Sequence, residues 1–248
     1  GDAADIYGNT LGEDYVWRFT TPGFTPVASF NLPPRLSQIS TSFPSDVDII
    51  HRNVSQLTVG LYQPETPLTN IESVYQYQDE APLPAPLRSW TIPVSTPRDE
   101  TGVTTVSLAD GGTLPTCAYI LTVTAPEVDA DFRYWQNQQN VLIVADTNVV
   151  ISEMPDEVHV WVTDLESGEP AAGRAVAIFD PDGNQVSTGV SDANGYAGYE
   201  YQPIDTNRRG VFAISAIPGQ PQICLGYTTW TGETKNRQLG ITFGYGTP

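Results

Sequence analysis

The stretch 157–201, EVHVWVTDLESGEPAAGRAVAIFDPDGNQVSTGVSDANGYAGYEY, alternates apolar and polar residues in short runs, each ending at a cluster of Gly, Asp, Asn or Pro. Alternation with period two puts successive side chains on opposite faces of a strand, and the interrupting residues are those that reverse a chain. Val158, Val160 and Val162 fall on one face, and His159, Trp161 and Thr163 on the other. Asp182-Gly183 and Asn194-Gly195 read as hairpin turns of type I′, which need positive φ at both central residues. A run of about seven such strands after residue 126 makes an antiparallel β-sandwich.

Residues 23–125 are written the same way. Leu57, Val59 and Leu61 share a face in SQLTVGLYQ, and RSWTIPVS, TGVTTVSLA and AYILTVTAP read as further strands. Pro-rich connectors, YQPETPL and APLPAPL, stay off central strands and form loops or edges. The chain has 21 Pro and 21 Gly in 248 residues, which argues against a helical protein. Residues 1–22 stand apart, with a turn at Gly8-Asn9 and then Tyr15, Trp17 and Phe19 in alternation. One strand is not a domain, so this piece packs on the unit C-terminal to it or closes a module lying before it. The expected fold is all-β: a terminal strand or linker at 1–22, then two tandem antiparallel β-sandwiches at 23–125 and 126–248. The second opens on NVLIVADTNVVIS, two short strands split by a turn at 146–148.

With 11 basic against 29 acidic residues the net charge is −18. That excludes nucleic acid, which needs a basic surface, and disfavours anionic lipid. No run reaches the length of a membrane-spanning helix, and the opening GDAADIYGN reads as a turn rather than a leader. The chain is therefore expected to be a piece of a longer protein outside the cytoplasm, extracellular or in the periplasm and cell envelope.

The search for chemistry returns no catalytic, cofactor-binding or metal-ligating residues. Cys117 and Cys224 sit in apolar runs and read as buried thiols, with a bridge between the two units as the alternative. Of the two histidines, His159 alternates with valines as a surface or half-buried side chain, and His51 ends the run DVDIIHRN in a loop. There is no G-x-S-x-G for a serine triad. DPDGN at 180–184 and SDANG at 191–195 have the acidic look of calcium loops but lack the later ligands, so both read as turns. NVS at 53–55 matches a glycosylation acceptor weakly. Tyr134, Trp135, Trp161, Tyr196, Tyr199, Tyr201 and Trp230 fill a sandwich core and its edges or, alternatively, build a sugar-binding face.

One stretch carries a family resemblance. Val160 to Leu165, Gly168, Pro170 to Val176, Asp180 with Gly183, and Ser191-Asp192 to Gly195 resemble the macroglobulin-like modules of bacterial alpha-2-macroglobulins. Ala171, Arg174 and Ser191 depart from the residues usual there. DIYGNTLGEDYVWRFTT is similar to the end of a bacterial Ig-like module, LPTCAYILTVTAP to a closing macroglobulin strand, and NQQNVLIVADTNVVIS to the opening of the next module. The resemblance implies macroglobulin-like sandwiches from the N-terminal part of a protease inhibitor. In such inhibitors a protease cuts a bait segment and the molecule collapses around it, with or without covalent capture by a Cys–Gln thioester. This chain has no Cys-x-Glu-Gln motif, so neither cysteine is a thioester cysteine. The resemblance thus implies a non-catalytic scaffold, whose partners are neighbouring macroglobulin-like domains and, through the intact parent, proteases. The alternative is a structural or adhesive module of a surface protein that binds a glycan or a protein.

Overall fold

The computed structural model describes residues 4–10, 16–64, 83–128, 138–153, 157–180, 182–200, 211–216 and 228–230. Among these residues there is no helix, and the strands form four sheets. Strands β1 (Val27–Phe30), β3 (Asp46–Arg52) and β6 (Thr101–Ser107) make the first, in the order β1-β3-β6. The second contains β2 (Arg35–Ser40), β4 (Gln56–Tyr62), β5 (Arg88–Pro93), β7 (Cys117–Thr124) and β8 (Gln139–Ala145), in the order β2-β8-β7-β4-β5. Strands β11 (Ala175–Phe179), β12 (Gln185–Val190), β14 (Phe212–Ala216) and β15 (Thr228–Trp230) make the third, ordered β12-β11-β14-β15. The fourth, β13-β10-β9, is built from β9 (Thr147–Glu153), β10 (Glu157–Asp164) and β13 (Tyr196–Glu200). Among the described strands every pair is antiparallel except β2 with β8, which run parallel.

Three apolar layers join these sheets into one stack. Between the first and second sheets lie Phe30, Ile49, Leu57, Val59, Leu61 and Leu121. Between the third and fourth lie Ile151, Val158, Val160, Val162, Val176 and Ile178. The valines of β10 are fully buried, as their alternation requires, and so are Leu57 and Val59 of β4. A further layer joins the second sheet to the third: Ala118 and Ile120 of β7 and Val141, Ile143 and Ala145 of β8 pack with Phe179 of β11 and Ile214 of β14.

That middle layer explains the sequence of β7 and β8. Cys117, Tyr119, Leu121, Leu142 and Val144 face the first core, while the residues between them face the third sheet. A strand buried on both faces reads as a continuous apolar run rather than an alternating one. NVLIVA is therefore not the first half of a hairpin with TNVVISE. It lies between β7 and β2 in the second sheet, and the chain crosses at Asp146 to begin β9 in the fourth.

The turn chemistry also differs from type I′. Gly183 and Gly195 have φ of +84° and +70°, but Asp182 and Asn194 are not among the residues with positive φ. The aspartate that opens each loop decides its form. Asp180 Oδ1 accepts the N–H groups of Asp182 and Asn184 at 3.0 and 2.8 Å, and Asp192 Oδ1 those of Asn194 and Tyr196 at 2.8 and 2.9 Å. The glycine then turns the chain back in the left-handed conformation, without a second left-handed residue before it. Asp5 and Gly8 repeat the device, with Asp5 Oδ1 accepting from Tyr7 and Asn9, both at 2.9 Å. Gly195 is fixed twice, because a Cβ there would also lie 2.2 Å from the carbonyl oxygen of Val162.

Candidate functional site

The residues singled out for chemistry are occupied by the fold. His51 is in β3 rather than in a loop, and only 4% exposed. Its Nε2 lies 3.0 Å from Thr104 Oγ1 and its Nδ1 3.2 Å from Thr96 Oγ1, and burial lowers its pKa from the ordinary 6.5. Cys117 is buried, and its sulfur accepts a hydrogen bond from Gln63 Nε2 at 3.3 Å. Cys224 lies outside the described residues. Asn53 of the NVS motif donates Nδ2 to Phe24 O at 2.7 Å and to Asp99 Oδ1 at 2.8 Å, while its Oδ1 accepts from Asp99 N at 2.7 Å. Its amide thus ties the N-terminal segment to the 94–100 loop. Asp99 is held below the usual carboxylate range by Asn53 first and then by the Phe24 N–H. Both oxygens of Asp180 are engaged within its own loop, Oδ2 taking Asn184 Nδ2 at 3.0 Å. Among the described residues no three His, Cys, Asp or Glu side chains converge as a metal site.

The aromatic candidates divide. Tyr199 packs against the core between the third and fourth sheets, and burial pushes its phenol up to about 12. Trp161 and Tyr196 stand on the outer face of the fourth sheet beside His159, with Trp161 38% exposed. Tyr134, Trp135 and Tyr201 lie outside the described residues, and Trp230 is described only as the backbone end of β15.

What the structure builds most deliberately is the joint between the two sandwiches. Asp146 stands where the chain crosses, and Arg174 Nη2 lies 2.5 Å from its Oδ2. Asp146 O accepts from Leu165 N at 2.9 Å, and Gln38 Nε2 donates to Thr147 O at 2.8 Å. Ser42 Oγ, in the turn after β2, donates to Glu166 Oε2 at 2.7 Å. Together with the Phe179–Ile214 layer, these bonds fasten one sandwich to the other by polar contacts at the rim and apolar contacts within. Arg174 is one of the departures from the family pattern, and its role was not legible because its partner lies in the crossover.

The described sheets stack as β-sandwiches, the fold of macroglobulin-like modules. The resemblance is shown by sequence in the second module: residues 144–242 match the bacterial alpha-2-macroglobulin MG3 domain. The fold is shared with native alpha-2-macroglobulin from Escherichia coli spanning domains MG0-NIE-MG1, at 16% identity and a TM-score of 0.63 over 93% of this chain and 71% of that one. The E. coli piece spanning NIE-MG1 matches with a TM-score of 0.61 at 16% identity, over 85% of this chain and 98% of its own. Salmonella alpha-2-macroglobulin reacted with methylamine gives a TM-score of 0.57 at 16% identity, over 87% of this chain but only 12% of that protein. A search of curated sequences finds no match.

Proposed function

We propose that this chain is a non-catalytic scaffold segment of a bacterial alpha-2-macroglobulin-like inhibitor that traps endopeptidases, acting outside the cytoplasm in the periplasm or cell envelope. The observation that carries the reading is the MG3 match over 144–242, set on a sandwich joined to its neighbour through an apolar layer. A trap that collapses around a protease needs modules that move as units. A stack whose middle sheet is buried on both faces transmits displacement rather than absorbing it, since packed interiors deform little. The acidic surface suits a soluble extracytoplasmic segment that touches neither nucleic acid nor anionic membrane. On this reading the second module takes over near Asp146, where the chain leaves the second sheet for the fourth.

The test uses the full-length parent protein, incubated with an endopeptidase and offered a large protein substrate and a small peptide substrate. Trapping blocks cleavage of the large substrate and spares the small one. Loss of neither activity sinks the inhibitor reading and leaves the structural or adhesive one. Peptide mapping with methylamine then separates the covalent form of the trap, in which a glutamine takes up the amine, from the non-covalent form.

A further inference from the structure

The outer face of the fourth sheet carries a strip that neither the joint nor the core uses. Register pairs Trp161 with Tyr196, His159 with Gly198, and Glu157 with Glu200 across β10 and β13. At one end the rings form a platform: Trp161 and Tyr196 have centroids 5.6 Å apart, and His159 stacks on Tyr196 at 5.9 Å and 25°. Gly198 makes room for it, because a Cβ there would meet Tyr196 Oη at 2.5 Å. Polar contacts hold the rings in place. Glu157 Oε2 lies 3.1 Å from His159 Nε2. On the other side of the ring, His159 Nδ1 and the Tyr196 hydroxyl share a hydrogen bond of 2.7 Å.

The other end of the strip is anionic. Like charges directly opposite on neighbouring strands are destabilising. Yet Glu157 faces Glu200, and Glu200 pairs with no cation among the described residues. Aromatic faces attract cations, and the chain's net charge of −18 adds to that attraction. Two facing carboxylates favour a cationic partner over a neutral sugar, whose hydroxyls gain no charge–charge attraction there.

We propose that this strip docks an extended segment of a partner protein, one that sets Lys or Arg against Glu157 and Glu200 and a flat or cationic side chain on Trp161. The rise of a strand, about 3.3 Å per residue, spaces the two ends roughly 13 Å apart, the reach of five extended residues.

The test titrates the intact 248-residue chain against a fluorescein-labelled peptide alternating Arg with Tyr and Ser, read by anisotropy. Trp161→Ala and Glu200→Gln should each weaken binding roughly two- to fivefold, the range for exposed cation–π and ionic contacts. Glu100→Gln, an exposed carboxylate in the first module, should leave affinity unchanged. Glu200→Gln alters only an exposed end position, so it reads the strip even if Trp161→Ala perturbs the sheet. The proposal is overturned if the parent does not bind the peptide, if Glu100→Gln weakens binding as much as Glu200→Gln, or if both strip variants bind like the parent. It is equally overturned if a neutral oligosaccharide, and not the peptide, binds in a Trp161-dependent way.

Discussion

The two sandwiches use the same strands and turns but are filled differently. Between the first and second sheets the described core includes Phe30, Tyr119 and the leucines 57, 61, 108, 114, 121 and 142. Between the third and fourth, the buried described residues are valines, Ile151, Ile178 and Ala213, without a leucine or a phenylalanine. Smaller side chains bury less apolar surface, at about 25 cal/mol per Å². The second sandwich also packs outside itself, through Phe179 and Ile214 against β7 and β8. Among the described residues, then, the leucine-rich core belongs to the first module, and the second rests on that module through the middle layer.

The largest test of that dependence is Phe179→Ala. Its side chain is 3% exposed in the middle layer, so truncation should cost about 3–5 kcal/mol. Urea unfolding followed by circular dichroism and by tryptophan fluorescence should give coincident curves for the parent and separated curves for the variant, the second module melting first. Coincident curves in both would mean that the modules do not differ in this way.

Next in size is Gly195→Ala, which combines a left-handed φ with a clash against Val162 O and should cost about 2–5 kcal/mol. Gly168 has φ +72° but open space around its Cβ direction, so Gly168→Ala should cost only about 1–2 kcal/mol. Equal shifts in the urea midpoint would refute the close approach as the cause.

Arg174→Met removes the partner of Asp146 at the crossover, where Asp146 Oδ1 already has no hydrogen bond. An expected loss of about 1–3 kcal/mol, felt by the second module alone, comes from leaving a charged group unpaired. An unchanged melting temperature would show that solvent replaces the guanidinium.

The smallest effect belongs to the first module. His51 has a folded-state pKa lowered from 6.5 by burial, so the unfolded chain binds the proton more readily. Its contribution is complete above pH 6.5 and is lost as the pH falls through the lowered value. His51→Gln should flatten the stability profile in that window. A profile identical to the parent's would remove His51 as the cause.

Much of the fold was legible because alternation is a local property. The faces of β4 and β10 are set by residues two apart, and the β-sandwich class by strand and turn spacing. The role of β8 was not legible. NVLIVA is equally compatible with opening one module or being the shared centre of two, and only the third sheet lying over it decides. His51 was misread for a similar reason: DVDIIHR carries its buried face through Val47 and Ile49 to His51, but the threonines that receive the imidazole come from other segments.

By itself, then, the sequence determined that this chain is β-structured, acidic and turn-rich, and that its D-x-x-G loops reverse it, because those features depend on side-chain period, charge and glycine. Tertiary structure alone decided that the two sandwiches share an apolar layer, that Arg174 pins the crossing point, and that Tyr196 joins Trp161 and His159 on one face. Those outcomes depend on which strands pair and which sheets stack, and pairing brings together residues that no local pattern relates.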